Sequence, residues 1–157
     1  MNALPPTRHC FVCGLHNPAG FQIRLETDRK NRRNKVSIPE GMVRLPQHCA
    51  RCPIATVLDE VMVWAVGVAS GHLTYCAELN VRYQRPARPD AEVVARGELV
   101  NNRRDRLFLA SASLFDSEGT LLSESTGKYL PVPAELHPHM FADFVGDPAG
   151  VFRPPSP

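Results

Sequence analysis

The chain has 157 residues, 43% of them hydrophobic, and a net charge of +2. That is the size of one domain, with enough apolar material for a core, which excludes global disorder. The charge is too small to mark a dedicated nucleic-acid binder, no uninterrupted apolar run reaches transmembrane length, and the start MNALPPTRHC lacks the apolar stretch of a secretory signal; a cytoplasmic protein with neither nucleic acid nor membrane as partner is the expectation.

Residues 1–20 read as an irregular N-terminal segment, punctuated by turn signals at Cys13-Gly14 and at Asn17-Pro18-Ala19-Gly20. A main domain over 21–133 follows, and 134–157 form a C-terminal arm with a proline-rich tail. Phe21–Glu26 alternates apolar and polar residues and predicts a strand. The polar run after it reads as a hairpin tip, and Lys35–Pro39 returns as a second short strand. Residues 41–52 form a loop rich in basic residues and cysteine. From about Pro53 to about Ser70 the pattern changes to a helix. Ile54, Val57, Leu58, Val61, Met62 and Ala65 recur at helical spacing, while Val63 and Val66 carry apolar character to other faces. Pro53 suits a first turn and Gly71 a stop. Two adjacent carboxylates, Asp59 and Glu60, interrupt this helix. Charges are rarely buried without a partner or a purpose.

Four further strands are predicted: Thr74–Gln84, Ala91–Asn101, Arg106–Asp116 and Thr120–Pro131. Short turns join the last three, which implies antiparallel neighbours. Ala134–Val145 reads as a short helix or covering arm, and Phe152–Pro157 as loose polyproline-like chain. The sum is an α+β domain in which an antiparallel sheet wraps one long central helix. One helix leaves part of the sheet face bare, so a homodimer or homotetramer is expected.

Five cysteines are an odd number, which argues against a simple disulfide framework. Cys10-Phe-Val-Cys13 and Cys49-Ala-Arg-Cys52 are two paired motifs separated by one predicted hairpin, a spacing that suits a structural, tetrahedral zinc on Cys10, Cys13, Cys49 and Cys52. Four ordinary thiols are the alternative. A redox pair fits less well, since no βαβ pattern surrounds it. Cys76, in a strand, reads as a small buried residue.

Four segments carry a family resemblance. They are Cys10–Gly20 (CFVCGLHNPAG) with the strand after it, Ala55–Trp64 (ATVLDEVMVW), Ala77–Pro86 (AELNVRYQRP) and Gly119–Pro131 (GTLLSESTGKYLP). Together they resemble the hotdog fold, and within it the PaaI-type acyl-CoA thioesterases. The resemblance implies a helix carboxylate acting on a thioester carbonyl as base or nucleophile, and a backbone N–H at the helix start holding the oxyanion. By position Asp59 matches the catalytic acid, with Glu60 as the second candidate. An apolar slot between subunits would take the acyl chain near Met62 and Trp64. His48 is a candidate substrate group, and Arg85, Arg103 and Arg104 are candidates for coenzyme A phosphates, which guanidinium groups suit. No organic cofactor is implied. The family's His-Gly-Gly before the helix is replaced here by Ala50, Arg51 and Cys52.

Three alternatives stand beside this reading. Asp59 or Glu60 could pair with an arginine at a dimer seam. The chain could be a non-catalytic, zinc-containing hotdog protein that binds an acyl-CoA or another ligand. A hotdog dehydratase is the third, without the Asp and His arrangement of that chemistry on the helix.

Overall fold

The computed structural model describes residues 2–28, 35–38, 51–88 and 90–153, with nothing said of the Arg51 side chain. A seven-stranded sheet has the order β1-β2-β3-β5-β6-β7-β4. Its strands are β1 (Asn2–Ala3), β2 (Glu26–Asp28), β3 (Lys35–Ser37), β4 (Thr74–Tyr83), β5 (Val93–Arg103), β6 (Leu107–Asp116) and β7 (Leu121–Pro131). Every pairing is antiparallel. Helix α1 (Arg51–Ser70) packs on this sheet, and a short helix α2 (His137–Asp143) follows a single 3-10 turn at Ala134–Leu136. This is the hotdog arrangement.

The long strands form where period-two patterning puts small and apolar residues on one face. In β6 burial alternates without a break: Phe108, Ala110, Ala112 and Leu114 are buried, and the residues between them are half-buried. Arg104 and Asp105 both take positive φ, which closes the β5–β6 hairpin tightly in the sense that matches strand twist.

Val57, Leu58, Val61, Met62, Ala65 and Val66 of α1 are all inaccessible to solvent. Burying each large side chain among them contributes about 1.5–3 kcal/mol. By length and composition Cys52–Ser70 would suit a membrane span; here the sheet and the chain termini cover most of it. Gly97 of β5 sets how deep the helix sits: a Cβ there would lie 2.6 Å from the Val61 carbonyl oxygen. The helix ends at Gly71, whose φ of +78° suits glycine and whose N–H bonds Gly67 O at 2.7 Å.

Three expectations are corrected. The first strand is displaced: Phe21–Leu25 is extended but pairs with the N-terminal segment through Phe21 N–H to Phe11 O and Ile23 N–H to Val12 O, and the ladder begins at Glu26. Gln22, at φ +51°, breaks the extended run there. The irregular N-terminal segment contains β1, too short to leave a periodic signal. The tail is anchored at its start, since Phe152 is buried against Gly67 of the helix. The predicted hairpin tip after Asp28 and the loop before the helix lie outside the described residues.

Candidate functional site

Adjacent residues on a helix point about 100° apart. Asp59 and Glu60 therefore enter different surroundings.

Asp59 faces β7 and β4. Its Oδ1 accepts a hydrogen bond from the Tyr129 hydroxyl at 2.7 Å. Tyr129 is fully buried, and burial, with the nearby Asp59 carboxylate, pushes its hydroxyl far above its ordinary range. It therefore remains a donor. Cys76 is directly across from Tyr129 in the β4–β7 ladder and also reaches Asp59. Burial pushes the Cys76 thiol up to about 11, and the Asp59 charge adds to this. The half-buried Asp59 is thus flanked by two protonated groups. Among the described residues β4 is the last strand of the sheet, so this carboxylate lies beside a sheet edge. Tyr75, Leu79 and Tyr83 of that strand are exposed.

Glu60 faces away from this edge. It is buried, and its Oε1 accepts from Trp64 Nε1 at 2.9 Å, one turn along the helix. Burial lifts its carboxyl to about 7, with Cys10 the next contributor. Cys10 Sγ, Cys13 Sγ and a Glu60 carboxylate oxygen all lie within 4.8 Å of one another. Within the cysteine pair, hydrogen bonding from Cys13 holds Cys10 below the usual thiol range, while sharing that proton and being buried push Cys13 far above it. An apolar cavity of about 380 Å³ opens beside the three, walled by Val63, Trp64, Leu73, Met140, Phe144 and Phe152.

Trp64, expected as pocket wall or core, borders this cavity and packs against Phe144 and Phe152 with ring centroids 6.0 and 5.5 Å away. Arg85, Arg103 and Arg104 are exposed. Within one chain Arg85 lies apart from the adjacent Arg103 and Arg104. Arg85 N–H bonds Leu122 O at the start of β7, whereas Arg103 pairs with Leu107, next to the end of β7. Cys52 lies in the first turn of α1, eight residues before Glu60, a separation of about 12 Å along the axis. His48 and Cys49 lie outside the described residues. Tyr129 was not legible as a site residue, and Cys76 appeared only as a buried strand residue; both reach Asp59 through β-pairing distant in sequence.

Neither a sequence-family model nor a curated protein sequence matches the chain. Solved structures do. A thioesterase superfamily protein superposes with a TM-score of 0.65 at 22% identity, covering 78% of this chain and 63% of its own. A hypothetical thioesterase from Streptococcus pneumoniae TIGR4, crystallised with coenzyme A, gives 0.56 at 13% identity over 69% of this chain and 85% of that one. The Escherichia coli PaaI protein from the phenylacetic acid degradation operon gives 0.55 at 9% identity over 69% and 80%. These likenesses establish the fold.

Proposed function

We propose that the chain hydrolyses an acyl thioester, with acyl-CoA as the substrate class and Asp59 as general base. One observation carries this reading: a helix carboxylate held at one oxygen by the buried Tyr129 hydroxyl, beside a sheet edge of a fold shared with thioesterase superfamily structures. A hydrogen bond at Oδ1 orients the group and leaves Oδ2 to take a proton from water. The water oxygen attacks the thioester carbonyl carbon, the C–S bond breaks, and coenzyme A leaves as a thiol on regaining the proton. The oxyanion donor comes from backbone N–H groups of the first turn of α1, around Cys52–Ala55, where the positive end of the helix faces a developing negative charge. Pro53 supplies none.

The functional unit is a homodimer formed across β4. Its place at the end of the sheet among the described residues, with Tyr75 and Leu79 exposed, favours strand-to-strand addition of a second copy. That copy would wall the cleft beside Asp59 and bring together arginines that lie at opposite ends of one sheet. Coenzyme A in the Streptococcus pneumoniae structure supports the substrate class.

Thiol release from a panel of acyl-CoAs tests the assignment. Turnover lost in Asp59→Asn, with an unchanged circular dichroism spectrum, supports it. Binding of acyl-CoA without turnover at any chain length favours the second reading, a ligand-binding hotdog protein, which the replacement of the two helix-start glycines by Arg51 and Cys52 makes specific. Light scattering of Leu79→Lys tests the dimer: an unchanged dimer mass would remove β4 as its seam.

A further inference from the structure

The cluster around Glu60 takes no part in the proposed hydrolysis, yet it has the parts of a built site. Two thiols and a carboxylate converge within 4.8 Å, the carboxylate deeply buried and turned toward the sulfurs. Soft and hard donors converging in an apolar wall can give up their protons together only when a cation joins them.

Each of the three also has an outer hydrogen-bonding partner. Val12 N–H points to Cys10 Sγ at 3.4 Å, Thr7 Oγ1 lies 3.5 Å from Cys13 Sγ, and Trp64 Nε1 donates to Glu60 Oε1. Outer donors of this kind orient ligands and stabilise their charged forms. The turn that presents the sulfurs is closed by Gly14 N–H to Cys10 O at 2.9 Å. Only glycine fits at 14, since a Cβ would stand 2.3 Å from that same oxygen. The turn is tied to the C-terminal arm by Arg8 N–H to Asp143 O and by Val145 N–H to Pro6 O, both at 2.8 Å.

We propose that Cys10, Cys13 and Glu60 bind one zinc-class divalent ion, with the remaining coordination position opening into the apolar cavity between α1, the N-terminal segment and α2. Two thiolates and one carboxylate suit a tetrahedral, borderline-soft cation, and a position facing a cavity admits water or a small donor ligand. The ligand set differs from one built on both cysteine pairs: Cys52 is too far along α1 to share an ion with Glu60. The site is also distinct from the Asp59 face.

The test is metal stoichiometry and cobalt(II) spectroscopy on the full chain, purified under reductant. One equivalent of cobalt should bind with a thiolate-to-metal charge-transfer band, and imidazole should shift the visible bands as it enters the open position. Glu60→Gln keeps an acceptor for Trp64 and should weaken binding by at least about tenfold. Cys10→Ser, at a partly exposed site, should remove most of the charge-transfer intensity. Asp59→Asn and the double change Cys49→Ser with Cys52→Ser should leave affinity unaltered. Absence of binding to the folded wild-type chain overturns the proposal. So does binding abolished by the Cys49 and Cys52 changes but untouched by Glu60→Gln.

Discussion

Asp59 and Glu60 are neighbours in sequence with opposite surroundings. Asp59 is half-buried, hydrogen-bonded by a tyrosine that cannot easily ionise, and next to the last strand of the sheet. Glu60 is buried, bonded by an indole, and crowded by two sulfurs beside a cavity. The first gives the carboxylate two protonated neighbours, the Tyr129 hydroxyl and the Cys76 thiol. The second disfavours charge, and lifts the carboxyl to about 7 through burial. The same functional group thus meets two environments according to what the sheet and the termini place around it.

The difference is sharpest in activity. Asp59→Ala should lower kcat/KM for acyl-CoA hydrolysis by about 10²–10⁴, the usual contribution of a general base, in steady-state assays. Glu60→Gln should change it by no more than about threefold. Equal losses in both variants would break the division of roles.

Stability against pH separates the two faces next. Glu60 has a raised value in the folded chain, so its contribution to the stability of metal-free protein is fully present below the ordinary carboxylate value of 4.5 and is lost as pH rises through about 7. Urea titrations of chelator-treated protein at about pH 5 and about pH 8 should differ by on the order of 3 kcal/mol from this group. Glu60→Gln should flatten that dependence, and Asp59→Asn should leave it in place.

Tyr129→Phe acts on the Asp59 face alone. Loss of its hydroxyl should cost about 1–2 kcal/mol of stability and lower kcat up to about tenfold. Metal binding at the other face should not move. The smallest effects belong to the arginines. Arg103→Ala with Arg104→Ala should raise KM by a few-fold, by less than about 1 kcal/mol, and the effect should shrink with added salt. Arg85→Ala measured separately shows whether the two ends of the sheet serve one ligand.

The fold was largely legible because its signals are local. Helical spacing from Ile54 to Ala65 and the stop at Gly71 placed α1 to within two residues at its start. Alternation placed β4 to β7 to within about two residues at either end. The displaced first strand had the right alternation, but its partner is the N-terminal segment, a pairing that periodicity does not encode. Asp59 was legible as a buried charge. Tyr129 was not, since a tyrosine in a strand usually reports only core, and its contact joins residues 70 apart. The Cys10 and Cys13 pair was legible as a metal motif by spacing. Its meeting with Glu60 depends on how the N-terminal segment lies across α1, which no pattern in either segment announces.

Gly97 gives this two-sided helix its fixed azimuth. Because strand backbone meets helix backbone at Val61, one residue past Glu60, α1 can neither roll nor slide without a collision. The direction in which each acid faces is therefore clamped by a missing methyl group on a different element. Any side chain at 97 would turn both carboxylates at once, so a single distant substitution would detune two chemistries while altering neither residue.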